Sequence, residues 1–183
     1  MRVGALALLG MLTLSGCGGG TPIPTLPPTP TATPVFASEE EALAAAEEAY
    51  AAYLAMSNRI SSEGGIAPER IEPFADRDLL DASLDGFQTL RDNQWRVNGL
   101  SVVIATMLQS ADLSGQVLEG AVAAYVCVDV SAVDVLDADG ESVVSPERPD
   151  VQAFEVFFDL KPDATLIPAT REPWDPESVC GAG

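Results

Sequence analysis

Whatever chemistry this chain performs must come from cysteine, tyrosine and carboxylate side chains, because it contains no histidine. Its 183 residues include 3 Cys, 3 Tyr, 28 Asp+Glu and 9 Lys+Arg. Without imidazole there is no Ser-His-Asp or Cys-His nucleophile system and no His-ligated metal site. The formal charge of −19 narrows the partners. Nucleic acid is held by neutralising phosphates with Lys and Arg, and Lys161 is the only lysine, so no nucleic acid is expected. The same scarcity argues against a basic patch on anionic lipid.

Two groups of residues could build a site. Tyr50, Tyr53, Trp95, Asp129 and Asp134 could line a cavity between a helix and a sheet. A buried carboxylate with a raised pKa could act there as a general base. The alternative packs the tyrosines on the sheet and leaves the aspartates on its wetter face. The second group is Asp137-Ala138-Asp139-Gly140-Glu141, which has part of the spacing of a calcium loop. That loop needs an acid or amide where Val135 stands and a bidentate glutamate where Pro146 stands. The segment therefore reads as a turn with Gly140 left-handed, and no metal or cofactor is expected.

The cysteines divide by context. Met1–Arg2 is a short basic start, and Val3–Leu14 is an apolar run. The run is too short for a membrane-spanning helix, which needs about 20 residues. It suits the hydrophobic part of a secretory signal peptide over residues 1–16. Leu14-Ser15-Gly16-Cys17 resembles a bacterial lipobox at all four positions. The resemblance implies diacylglycerol transfer to the Cys17 thiol and cleavage before it. The mature chain is then anchored in the lipid bilayer at the extracytoplasmic face of the cell membrane. Two acyl chains on one residue hold stably where a single chain is marginal.

Export sets the redox environment of Cys127 and Cys180. Two cysteines outside the cytosol usually pair. Their disulfide closes a loop of about 54 residues, with roughly 4 kcal/mol of stabilisation as an upper figure. A reactive or metal-binding thiol is the alternative, but no histidine can activate it and no CxxC spacing exists.

The elements that position these groups follow from the pattern. Residues 17–37 form the lipidated cysteine and a stalk. Gly18–Phe36 holds six Pro, five Thr and three Gly, which favours extended polyproline-II structure. O-glycosylation of the threonines or a proline-recognising partner are further uses of such a segment. Residues 38–183 form one domain. Ser38 and Glu41 have the form of a capping box for a helix over Glu39–Ile60. A second helix covers Phe74–Asp92, with a break at Asp85-Gly86. After Gln94 the apolar period changes to two. Strands are predicted at Leu100–Leu108, Gln116–Leu136, Val151–Leu160 and Ala164–Glu172. Ser142–Ser145 is a loop or a short strand. Trp174 either plugs the sheet edge near Cys180 or stands exposed as a partner's anchor.

Helices followed by an antiparallel sheet of four or more strands is an α+β pattern. The element order over Ser38–Gly183 resembles the cystatin-like cone of the nuclear transport factor 2-like superfamily. That likeness implies N-terminal helices packed into a strongly curved sheet. Its enzymes, such as ketosteroid isomerases and dehydratases, place an acid and a tyrosine in the cone. The Ala/Glu-rich Glu39–Tyr53 helix and Cys127-Val128-Asp129-Val130-Ser131 also resemble small lipoproteins of high-GC Gram-positive bacteria. The resulting expectation is a membrane-anchored envelope lipoprotein with a non-catalytic binding or interaction domain and no catalytic residues. An envelope protein is one partner it could take. An isomerase- or dehydratase-like enzyme and a carrier of an apolar ligand are the competing readings.

Overall fold

A computed structural model describes Pro34–Gly181. The expected signal peptide, the expected lipobox with Cys17 and most of the expected stalk lie outside the described residues. Helix α1 spans Glu39–Ser62. The Ser38 hydroxyl accepts from the Glu41 N–H at 3.3 Å, and the Glu41 carboxylate accepts from the Ala37 N–H at 2.6 Å. The capping box thus forms with one arm reaching a residue further back. Glu39, Glu40 and Glu41 sit where the helix dipole favours negative charge. The packed region begins ahead of Ser38. Phe36 is buried, and the Val35 N–H donates to the Leu113 carbonyl at 3.2 Å. These two residues leave the stalk and join the core.

A 3₁₀ turn over Pro68–Ile71 leads to helix α2, Arg77–Asp92. It starts three residues later than expected, because Asp76 is its N-cap, and it runs unbroken through Gly86. A glycine inside a helix costs only about 1 kcal/mol against alanine. The buried face through Leu79, Ser83 and Phe87 outweighs that. Among the described residues no helix is long and apolar enough to cross a membrane.

Six strands follow: β1 (Arg96–Asn98), β2 (Val102–Ala111), β3 (Val122–Asp129), β4 (Asp134–Leu136), β5 (Val151–Leu160) and β6 (Leu166–Trp174). Strands β2-β3-β5-β6 form one antiparallel sheet, and β1 pairs with β4 apart from it. The fold is α+β, with α1 and α2 on one face of a curved sheet. Val122, Ala124, Val126 and Val128 of β3 face the helices and join the core with Val156 and Phe158 of β5.

The long strand expected over Gln116–Leu136 is instead two strands with ordered loops. Before β3, the Asp112 carboxylate accepts from the N–H groups of Ser114, Gln116 and Val117. After β3, the Ser131 N–H donates to the Asp129 carboxylate at 2.8 Å and starts a turn. Arg148 donates to the Val130 and Val133 carbonyls at 2.7 and 2.8 Å, replacing the ladder bonds that the turn gives up. The β1–β2 connection passes hard against this turn. Gly99 has φ +78°, and a Cβ there would lie 1.9 Å from the Ala132 carbonyl oxygen. No other residue fits that crossing.

Three bulges curl the sheet. Strand β2 has extra residues at Ile104 and Gln109. In β6 the pairs Phe157–Thr170 and Phe158–Pro168 leave Ala169 unpaired. Each extra residue bends its strand and exchanges inner for outer positions beyond it. On the outer face a disulfide joins Cys127 of β3 to Cys180, with Cα atoms 5.7 Å apart. It ties down the short helix α3, Pro176–Val179.

Candidate functional site

One face of α1 carries Tyr50, Tyr53, Leu54, Ser57, Asn58 and Ser61. The spacing is that of one helical stripe. Toward the N-terminus the stripe continues as Ala42 and Ala46, both fully buried. After Leu54 it turns polar. Where it does so, helix and sheet separate and enclose a cavity of ≈350 Å³. Helix α2 lines it with Ala82, Ser83, Gly86, Phe87 and Leu90. The sheet side supplies Val128, Gln152, Phe154 and Arg171, and the turn after β3 supplies Val130 and Val133. A Cβ on Gly86 would meet nothing within 4 Å, so this part of the α2 wall is open space.

The polar groups of the wall fall into two sets. Some are fully occupied. Asn58 donates to the Ser101 carbonyl at 2.9 Å and accepts from the Ser101 N–H at 3.2 Å, which pins α1 to the start of β2. The Ser83 hydroxyl donates to the Leu79 carbonyl at 2.6 Å, so the Tyr53 hydroxyl, 3.1 Å away, is the donor to Ser83.

Two others are unspent. Tyr50 is 1% exposed, yet its hydroxyl donates to no acceptor. Burial raises its pKa, and the charge of Arg171 together with a weak hydrogen bond from its guanidinium pulls the other way without prevailing, which leaves the hydroxyl proton unspent. The phenol is therefore neutral and free to donate. Arg171 projects from the inner face of β6, paired across the ladder with Val156. Its guanidinium carbon sits 4.4 Å from the Phe154 ring centroid, over the π face. Arg171 is exposed, and it lines the open side of the cavity. Burial opposes its charge, while Tyr50 and Tyr53 favour it, and the group stays protonated. Arg171 has no carboxylate partner among the described residues, unlike Arg59, Arg70, Arg77 and Lys161.

Of the five residues singled out in the sequence, Tyr50 and Tyr53 line this cavity. The other three lie elsewhere. Trp95 lines a separate groove with Glu63, Ile66 and Arg91. Asp129 caps the turn after β3, and its hydrogen bonds to Ser131 hold its carboxyl below the usual carboxylate range. A general base at neutral pH needs the opposite shift. Asp134 accepts from the Val135 N–H at 2.8 Å and the Ser142 hydroxyl at 2.6 Å, outside the cavity. The lining contains no Asp or Glu.

The other two sequence readings fall on described residues as well. Asp137 accepts from the N–H groups of Asp139 and Glu141, and Gly140 has φ +84°, so this segment is a turn. Trp174 belongs to β6 and stands 41% exposed on the outer face, its ring 5.1 Å from that of Tyr125. No protein-family model matches the chain, and no curated protein matches it.

Proposed function

We propose that this chain is an exported lipoprotein, anchored through Cys17 at the outer face of the cell membrane. Its α+β domain binds a small molecule in the cavity beneath α1 and does no chemistry on it. The carrying observation is an open space of ≈350 Å³ whose wall holds a cation with no carboxylate partner and a buried hydroxyl whose proton is unspent. Pockets of a few hundred Å³ with few convergent polar groups are the usual form of ligand sites. An isomerase- or dehydratase-like mechanism needs an acid in the cone, and the lining offers none. Reading the domain as a nuclear transport factor 2-like cone is supported by element order and by the curvature that the bulges impose. The anchor and localisation rest on the lipobox and the apolar run before it.

Docking of an envelope protein on the outer face is the second reading, favoured by the half-exposed Trp174 beside a groove with Pro149, Pro173 and Pro176.

Native mass spectrometry of the full chain, extracted from membranes, tests both. The expected result is a co-purifying small molecule that is absent from Gly86→Leu, whose side chain fills the open wall. A ligand-free mass together with a protein crosslinked near Trp174 favours the second reading. An N-terminus ahead of Cys17, without acyl groups, overturns the anchor.

A further inference from the structure

We infer that the ligand of this cavity is a small amphipathic monocarboxylate, held by the Arg171 guanidinium and the Tyr50 hydroxyl. The inference rests on the cavity being the binding site proposed above. It adds the chemical class of the ligand.

Three observations converge. The first is charge. A chain of −19 places a cation, and no carboxylate, on this wall. Arg59, Arg70, Arg77 and Lys161 are each paired with Asp or Glu, and Arg91 and Arg148, without a carboxylate, donate to backbone carbonyls. Arg171 is left with the Phe154 ring, whose face satisfies part of the charge and none of the N–H donors. The second is the Tyr50 hydroxyl, buried, its proton unspent, and near enough to Arg171 for charge and a weak hydrogen bond to act between them. A buried hydroxyl proton without an acceptor is unfavourable, so a ligand that accepts from it recovers that cost. The third is composition. Leu54, Phe87, Leu90 and Val133 give one part of the wall an apolar surface, beside the polar Ser57, Ser61 and Gln152.

A guanidinium fork plus one hydroxyl donor matches the two oxygens of one carboxylate. A single positive charge balances a monoanion. A phosphate monoester carries nearly two charges and three acceptor oxygens, more than this pair supplies. The apolar part of the wall at Leu54, Phe87, Leu90 and Val133 takes an alkyl or aryl body. The acidic exterior repels anions at long range, so association with such a ligand quickens as salt screens that field.

The test uses 4-phenylbutyrate and its neutral isostere 4-phenylbutanamide, titrated by NMR into the full chain in nonionic detergent. The acid should bind roughly tenfold or more tightly than the amide. Arg171→Gln should remove that preference and leave amide binding in place. Tyr50→Phe should weaken the acid several-fold without abolishing it. Equal binding of acid and amide, or a preference that survives in Arg171→Gln, overturns the carboxylate while the cavity remains a binding site. Failure of both probes to bind up to millimolar concentrations, with the chain folded, overturns the cavity reading and this inference together.

Discussion

Arg171 stands opposite Val156, not opposite Glu155. Counted straight back from the Leu160–Leu166 pair, the ladder would set Arg171 against Glu155, on the outer face. The unpaired Ala169 adds one position, and everything beyond it changes sides. Arg171 and Pro173 turn toward the helices, and Glu172 and Trp174 turn away. One extra small residue thus decides that the cavity carries a cation.

This placement separates Arg171 from Arg77, which has a structural partner. Arg77 donates to Asp159 at 2.8 Å, and Asp159 is 6% exposed. Arg77→Met leaves a buried carboxylate without its counter-charge and should cost about 3 kcal/mol or more. Arg171→Met removes a charge that nothing in the fold needs, and the loss of its ring contact is small. Its effect should stay within about 1 kcal/mol of zero. Urea unfolding of both variants checks the contrast, and similar losses from the two would make Arg171 a structural residue.

The Cys127–Cys180 disulfide closes a separation of 53 residues and holds α3 on the outer face. Reduction, or Cys127→Ala with Cys180→Ala, should lower stability by up to about 4 kcal/mol. For a domain of this size that is a fall of roughly 10 °C in Tm. The cavity lies on the other face of the sheet, so ligand binding below that temperature should be unchanged. Scanning calorimetry with and without reductant gives the first number. A thiol count of two in natively exported protein would contradict the bond.

Acid should weaken the junction between α2 and the β5–β6 turn. Asp76 caps α2 and receives the Lys161 ammonium, and these hydrogen bonds, Lys161's foremost, hold its carboxyl below its ordinary value. A carboxyl that is more acidic in the folded state stabilises that state above its unfolded pKa. The contribution is lost as pH falls through the folded value. Asparagine keeps the cap and removes the charge. Asp76→Asn should therefore be less stable than wild type at pH 7, with the gap closing toward about pH 2. Urea midpoints across that range measure it, and a gap independent of pH would rule out the charge as its cause.

Much of this architecture can be read from the chain itself. The β5 boundaries, Val151–Leu160, agree with expectation because Pro149 and the Lys161-Pro162-Asp163 turn bracket the run. The disulfide pair followed from there being two thiols besides Cys17. The site was half legible. Tyr50 and Tyr53 are in it, and the stripe they begin continues as Ser57, Asn58 and Ser61 at the same helical spacing. A helix face that changes from apolar to polar halfway along is the signal of a wall that opens. Arg171 gave no such signal, since its side of the sheet depends on Ala169. Asp129 and Asp134 fell outside because period-two reading carried one strand across a turn. That turn is held by Arg148, whose partners are carbonyls and leave no trace in side-chain pattern.

The crooked strands have one more consequence. The two borders of the sheet, β2 and β6, are the places where a foreign strand could be added. On β2, Val102, Ile104 and Met107 are exposed and would suit a hydrophobic newcomer. Yet its bulges at Ile104 and Gln109 break the row of amides that a straight partner must match. On β6, Pro168 and Pro173 have no N–H to offer. Both borders are thus poor templates, and copies of this domain crowded together are discouraged from growing into one another's sheets.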